Sequence, residues 1–178
     1  MRAVLLFLLV LLWVPASQAE DFANNLFKLN LPDGFKGPIQ KSQDGGSIFA
    51  FVKPHPGSNT ASLIQISIYD FGPSFAKVPN AQLGNAAEKY LREALQGVQR
   101  RRTDFHTGES EDVRIGGIPG RKISWSGTVQ GEDLIAKGVM FSVLKGSKVF
   151  SIHVQDSAEF SSQTFPAAIK AIEGMEIR

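Results

Sequence analysis

Residues 121–154, with the sequence RKISWSGTVQGEDLIAKGVMFSVLKGSKVFSIHV, contain the pattern that decides the fold. Apolar and polar residues alternate in three segments, and this period of two is typical of β-strands. Short glycine-containing turns at 130–133 and 145–147 separate the segments. Because a parallel crossover needs about a dozen or more residues, turns this short require antiparallel pairing. The predicted antiparallel strands are 121–129, 134–144 and 148–154.

The segment before this meander predicts one strong amphipathic helix at 83–98. Its apolar residues fall at helical spacing and form a single stripe, which a helix buries against a sheet. The stripe consists of Leu83, Ala86, Ala87, Tyr90, Leu91, Ala94, Leu95 and Val98. Asn80 is the predicted N-cap. We expect Arg100–Arg102 to close the helix, where positive charge complements the carbonyl end of the helix dipole.

Further strands and a second helix are predicted elsewhere in the chain. The strands are 23–31, 39–43, 47–53, 63–69 and 107–115, with an edge strand at 175–177. The second helix covers 161–173, and Phe165, Ile169 and Ile172 form its apolar side. The strand at 47–53 is apolar on both sides, so we expect it to be central in the sheet or covered on both faces. Together these elements predict an α+β fold, an antiparallel β-sheet of about seven strands covered by two main helices.

Residues 1–19 are arranged like a secretory signal peptide. Arg2 supplies a positive charge, residues 3–14 are an unbroken apolar run, and small residues precede a cleavage site after Ala19. This run is too short to cross a bilayer, which needs roughly 20 apolar residues. The other interpretation is a short buried N-terminal helix. We expect residues 1–19 to be removed and residues 20–178 to form a single domain with no transmembrane anchor.

The composition excludes several classes of protein. The chain has 19 Lys and Arg against 17 Asp and Glu, a net charge of +2, whereas nucleic-acid binding usually shows a larger and clustered basic excess. The chain contains no Cys. Thiol catalysis, cysteine-ligated zinc, disulfides and the lipid-bearing cysteine of a bacterial lipoprotein are therefore excluded.

No stretch of the sequence carries a recognisable catalytic or metal motif. His55, His106 and His153 are the only histidines, and their spacing fits no metal-ligand pattern. Ser126 lacks the Gly-x-Ser-x-Gly context of a nucleophile, and the glycine-rich turn at 116–120 lacks the Lys-Ser/Thr of a phosphate loop. We therefore assign no catalytic, cofactor-binding or metal residue and no cofactor, and we expect that the protein is not an enzyme.

Three further clusters each admit a structural and a functional interpretation. Glu109, Glu111 and Asp112 are a solvated face or a calcium site, and Arg100–Arg102 are a helix terminus or a patch for an anionic partner or lipid headgroup. Four aromatic residues lie in or near connectors and would form a binding patch if exposed together; otherwise they pack beneath the loops. They are Phe71, Phe75, Phe105 and Phe160.

The segment Phe27–Phe35, FKLNLPDGF, resembles the opening of PsbP/Mog1-like proteins, a strand followed by Leu-Pro-x-Gly and an aromatic residue. The order that follows is also similar: hairpin strands, a central helix, a Gly-x-Pro-Gly turn at Gly117–Gly120, three meander strands and a closing helix. The resemblance covers nearly all of residues 20–178. It implies an α/β/α sandwich around an antiparallel sheet and, by analogy, a binding or accessory module.

These observations lead to three hypotheses about function. The first is an exported, soluble, non-enzymatic binding or accessory module of the periplasm or the extracellular space, with a protein partner and no nucleic acid. The second is a carrier of a small apolar or lipid-like ligand, which requires an apolar pocket of a few hundred Å³. An enzyme of unrecognised type is the third, and it requires a concave site with titratable groups of shifted pKa.

Expression of the full sequence should release a product that begins at Glu20 or within a residue or two of it, because the apolar run directs export and the small residues direct cleavage. N-terminal sequencing measures this start. Leu8→Arg places a charge in the run and should leave the uncleaved chain inside the cell. A released product that retains residues 5–12 contradicts the prediction.

Overall fold

The computed structural model describes residues 20–43, 45–73, 75 and 78–178, and the predicted signal peptide at 1–19 lies outside them. These residues form ten strands and two helices. The strands are β1 Asp21–Ala23, β2 Phe27–Asn30, β3 Lys36–Gln43, β4 Gly46–Pro54, β5 Ala61–Asp70, β6 Arg102–Ile115, β7 Ile118–Val129, β8 Ile135–Lys145, β9 Lys148–Ser157 and β10 Glu176–Ile177. The helices are α1 Leu83–Gln99 and α2 Ser161–Glu173.

Seven of the strands form one antiparallel sheet in the order β3-β4-β5-β9-β8-β7-β6. The remaining strands form a small sheet in the order β1-β2-β10, which is also antiparallel. The predicted meander is confirmed, since β7, β8 and β9 are sequential neighbours joined by short turns. The α+β class with a sheet of seven strands and two helices is likewise confirmed.

One predicted strand is wrong, because 23–31 divides into β1 and β2. The side-chain oxygen of Asn24 accepts hydrogen bonds from the backbone N–H groups of Leu26 at 2.8 Å and Phe27 at 2.9 Å. Asparagine commonly forms such local bonds and so reverses the chain. The turn lets β1 pair with β2 and adds a second sheet that the sequence pattern does not predict.

One face of the seven-stranded sheet is covered over β4, β5, β9 and much of β8, and we call it the closed face. Its inward side chains include Phe51, Ile66 and Phe150, each fully buried. The small sheet and α2 lie over them and contribute Phe27 and Ile172, among others, to the same cluster. Burial of each such side chain stabilises the fold by about 1.5–3 kcal/mol, so this layer is the main core.

The opposite face, which we call the open face, is only partly covered. Helix α1 packs Leu91 and Leu95 against Trp125 and Met140 of β7 and β8. In the part of the chain that the structure describes, no helix lies over β3 and β4, and Ile39 is 59% exposed. Strand β4 pairs on both sides, with β3 and β5, so the interior position expected for the strand at 47–53 is confirmed, whereas covering of both of its faces is not.

The predicted main helix is confirmed, and its ends differ slightly from expectation. Gln82, not Asn80, is the N-cap, and it follows a short 3-10 turn over Asn80–Gln82. Arg100 is the C-cap, while Arg102 is already the first residue of β6. The basic run therefore spans the boundary between a helix and a strand, which directs Arg102 back toward the sheet.

Both edges of the large sheet carry features that oppose pairing with another strand. On β3 the register shifts between Lys36 and Ile39, where Pro38 offers no backbone N–H. On β6 the register shifts twice, between Thr103 and His106 and again closer to Ser110. Because bulges and proline protect a sheet edge, binding to another molecule is expected on a face of this sheet and not on its edges.

Leu91→Ala should reduce the free energy of unfolding by about 2–5 kcal/mol, because it leaves a cavity beneath α1 at a fully buried position. Urea denaturation measures the change. The matched control is Glu93→Ala at an exposed position of the same helix, and it should change stability by less than about 0.5 kcal/mol. Equal effects of the two substitutions would show that α1 does not pack on the sheet.

Candidate binding groove

A groove of about 580 Å³ runs between α1 and the open face of the sheet, and we call it the α1 groove. Strands β5, β8 and β9 form its floor, and the C-terminal half of α1 with the start of β6 forms its wall. Gly97 belongs to this wall, where a Cβ atom would meet nothing within 4 Å. The space beside the helix is therefore open to another molecule.

The floor of the groove is polar because β5 and β9 alternate in the same register. Gln65 pairs with His153, and Ser67 pairs with Ser151. The intervening isoleucines of β5, which the alternation predicts on the other side of the strand, lie in the closed-face core. This strip of polar side chains limits the hydrophobic core of the open face to the strands that lie beneath α1.

The polar strip is anchored by a hydrogen bond between two side chains. Trp125 donates from Nε1 to Nε2 of His153 over 3.2 Å. Gly138 makes this possible, because any Cβ there would collide with the Trp125 indole. Since Nε2 accepts, the neutral His153 ring carries its proton on Nδ1. Burial, with a smaller effect of the nearby Arg102 charge, lowers the pKa of His153 to about 4.

Arg102 closes one end of the groove and is held by contacts with neutral groups. Its guanidinium lies 5.5 Å from the centre of the Trp125 ring, donates to Oε1 of Gln155 over 3.1 Å, and donates to the backbone oxygen of Arg101 over 2.9 Å. Burial and the Arg101 charge lower its pKa, and Glu132 opposes them, but a guanidinium stays protonated at neutral pH. Across residues 20–43, 45–73, 75 and 78–178, no carboxylate forms a salt bridge with Arg102.

A second polar cluster lies near the start of α2 and brings together a Ser, a His and an Asp. Asp156 accepts hydrogen bonds from His55 at 2.8 Å, from Ser62 at 2.7 Å and from Thr164 at 2.5 Å. His55 and Asp156 are both buried. Phe160 stacks on the His55 ring with centroids 4.0 Å apart and closes the cluster.

This cluster does not have the geometry of a catalytic triad. In a triad the carboxylate and the hydroxyl bond to different nitrogens of the histidine. Here Asp156 and Ser62 both approach Nε2 of His55, at 2.8 and 3.1 Å, and the Ser62 hydroxyl donates to the carboxylate. Burial acts to raise the pKa of Asp156, but the hydrogen bonds outweigh it and lower that pKa. The cluster joins β5, β9 and α2 as a structural network.

The other charged candidates from the sequence lie apart from both clusters. His106 is exposed on β6, and the structure does not bring the three histidines together. Asp112 forms an ion pair with Arg121 at 3.1 Å, and Glu111 forms one with Lys122 at 3.5 Å. Within the described residues there is no group of three or more potential metal ligands. These carboxylates therefore lie on an ion-paired, solvated strand.

All four connector aromatics pack against other rings. Phe105 stacks on Trp125 at 5.8 Å, Phe160 covers His55, and Phe75 meets Tyr90 edge-on at 5.7 Å. Phe71 also contacts this last pair but remains 47% exposed. Tyr69, which is not among the candidates predicted from the sequence, is 40% exposed and lines the α1 groove.

A second concavity of about 490 Å³ lies between the β2–β3 turn and α2. Leu31 and Phe35 contribute apolar surface, and Lys53 and Lys170 lie at its margin. Neither concavity is enclosed. Among the helices that the structure describes, none is long and apolar enough to cross a membrane.

Comparison with known proteins identifies the fold. No family model matches the sequence, and no curated protein does either. Solved structures do match. Cyanobacterial PsbP from Synechocystis superposes with a TM-score of 0.63 at 8% identity, covering 93% of this chain and 96% of that one. LpqN of Mycobacterium tuberculosis, described as involved in cell envelope biogenesis, gives a TM-score of 0.57 at 15% identity, covering 85% of this chain and 82% of that one.

A third solved structure, a protein of unknown function from Pseudomonas aeruginosa described as a putative regulator, gives a TM-score of 0.52 at 18% identity. The match covers 89% of this chain and 96% of that one. At such identities the likeness establishes the fold alone. The chain has the PsbP/Mog1-like fold that the order of its elements predicts.

His153 makes stability depend on pH between its ordinary pKa near 6.5 and its folded pKa of about 4. In that window the unfolded state binds a proton that the folded state does not, so stability falls as the pH falls. The total loss is about 3 kcal/mol. His153→Gln keeps an acceptor for Trp125 and should make this decline shallower in urea titrations at pH 4 to 7. His106→Gln at the exposed β6 position should leave the decline of stability unchanged. Identical curves for the wild type and both variants would contradict the assignment of this decline to His153.

Proposed function

We propose that the protein is an exported, non-enzymatic binding module of the cell envelope that holds a protein partner on the open face of its seven-stranded sheet. The observation that carries the proposal is the uneven covering of the sheet. Its closed face is covered over β4, β5, β9 and much of β8 by a second sheet and a helix, whereas the open face is left accessible beside α1.

The open face has the composition of a binding surface. Ile39 and Tyr69 are large side chains that remain exposed there, and Ala50 lies on β4 between the paired residues Ile39 and Gln65. Apolar side chains therefore surround a polar strip, as in protein interfaces, where aromatic and apolar groups mix with hydrogen-bonding groups.

The arrangement of the titratable groups supports a non-enzymatic role. The buried Asp156 cluster has no free nucleophile, and Phe160 closes it. In the α1 groove, His153 accepts a bond from Trp125 and has a pKa of about 4, so it is a poor proton acceptor at neutral pH. No residue of the groove pairs with it as a nucleophile among the described contacts.

Export and an envelope location are supported by two observations of different kinds. Residues 1–19 have the layout of a signal peptide, and the chain has no cysteine for a lipid anchor. LpqN, which shares this fold, is described as involved in cell envelope biogenesis.

A carrier of a small apolar or lipid-like ligand is the second candidate. The α1 groove at about 580 Å³ and the α2 concavity at about 490 Å³ both fall in the range of about 300–1,000 Å³ that small-molecule sites occupy. Such sites usually bury most of the ligand, however, and these two concavities open to solvent. This geometry favours a protein surface that enters the groove.

A photo-crosslinking amino acid at Ala50 tests the protein-partner function in the cells that make the protein. We expect one adduct of defined mass, because Ala50 lies on the open face. The same group at Lys89, on an exposed position of α1, should give none. Gly97→Phe fills the groove and should reduce the Ala50 adduct by about tenfold or more, whereas Gln96→Phe on the other flank of α1 should not.

Equal adducts from Ala50 and Lys89, or an Ala50 adduct insensitive to Gly97→Phe, would overturn the proposal. Absence of an adduct at Ala50, together with a bound lipid in native mass spectra that Gly97→Phe removes, would establish the carrier instead. All variants are compared at equal folded concentration, measured by their urea transitions.

A further inference from the structure

The α1 groove contains positive charge and no negative charge. Among the described residues that line it, Arg101 and Arg102 are basic and none is acidic. Arg121, Lys122 and Lys148 of the same sheet form ion pairs with acidic neighbours. Among the described residues, no carboxylate lies within ion-pair distance of Arg101 or Arg102, so the positive charge of the groove has no ion-pair partner.

Arg102 is fixed in place before any ligand arrives. The Trp125 ring supports its guanidinium, and Gln155 and the Arg101 carbonyl accept from its two terminal nitrogens. A preformed guanidinium loses little side-chain entropy on binding and presents several donors in one plane, the geometry that a carboxylate matches. Because the charge is half-buried without an ion-pair partner, an arriving carboxylate would meet it in a weakly screened environment.

Apolar groups border this charged end of the groove. Ala94 and Val98 of α1 lie on one side, and Leu63 and Met140 lie on the floor. A small inorganic anion would contact only the arginines. A ligand that carries an acidic group next to apolar side chains would use both surfaces.

We infer that the α1 groove receives an acidic side chain of a partner protein, an Asp or Glu flanked by apolar residues, with Arg101 and Arg102 as the carboxylate-binding pair. The inference rests on the function proposed above and adds the chemistry of the partner. Charge complementarity identifies the occupant, since the groove supplies two guanidinium groups and no carboxylate. An anionic membrane is the less favourable occupant, because a flat surface does not reach a half-buried arginine stacked inside a groove.

Peptide display on the purified protein tests this chemistry even though the partner is unidentified. A library of random peptides is selected in parallel on the wild type, Arg101→Gln, Arg102→Gln and Arg114→Gln. Arg114 is exposed at the far end of β6 from Arg102, so its substitution removes the same charge outside the groove. We expect peptides with Asp or Glu beside apolar residues on the wild type and on Arg114→Gln.

The affinity of a selected peptide should fall by roughly tenfold or more in Arg102→Gln and should weaken with added salt, because a charge pair is lost. Arg101→Gln should also reduce the affinity for the peptide. Because Arg101 is exposed, the test does not depend on the folding of Arg102→Gln. Replacing the acidic residue of the peptide by its amide should remove most of the difference between wild type and variant.

Two outcomes overturn the inference. In the first, the selected peptides contain no acidic residue, and their binding is blocked by Gly97→Phe but unchanged in both arginine variants. This result would remove the carboxylate chemistry and leave the proposed function standing. Arginine-dependent binding to phosphatidylglycerol vesicles, with no acidic peptide selected, would assign the arginines to a lipid headgroup instead.

Discussion

The width of the sheet is the constraint on which the rest of this structure depends. Strands lie about 4.8 Å apart, so seven of them span roughly 29 Å, whereas a helix with its side chains is about 10–12 Å wide. One helix covers two or three strands. The closed face therefore requires both α2 and the small sheet, and the open face, which has α1 alone, keeps an accessible strip beside the helix. The α1 groove is a consequence of this mismatch in width.

The uncovered strip is stable in water because its side chains alternate with those of the core. Every second residue of β5 and β9 is apolar and buried, and the residues between them are polar or half-exposed. Neighbouring groups satisfy several of the buried polar side chains. Trp125 bonds to His153, and Asp156 accepts from four donors, so burial of these groups does not carry the full desolvation cost. Arg102 differs from these groups, because its half-buried charge has neutral partners only and its Nε atom has no hydrogen-bond partner among the described residues.

Much of the fold could be predicted from local patterns, and the candidate site could not. Alternation and short turns predict the meander and its antiparallel pairing, and the apolar stripe predicts α1. The break between β1 and β2 was missed because a single asparagine bond at Asn24 overrides an apolar run. No sequence spacing joins Trp125 to His153 or His55 to Asp156, since these contacts form only when distant strands come into register. The one available signal was a glycine within an alternating strand, such as Gly138, because glycine there indicates that another group, here the Trp125 indole, lies close to the backbone.

Local patterns in the amino-acid sequence were sufficient for the class of the fold, the position of the main helix and the alternation of the meander strands. These properties depend on residues close together in the chain, where periodicity and turn length leave little choice. Which strands remain uncovered and which charges meet was decided in three dimensions. That outcome depends on the order of strands across the sheet and on the width of the layers above it. Arg102 is the clearest case: its place at the end of a basic run suggests a helix terminus, but the turn into β6 carries it onto Trp125 and into the groove.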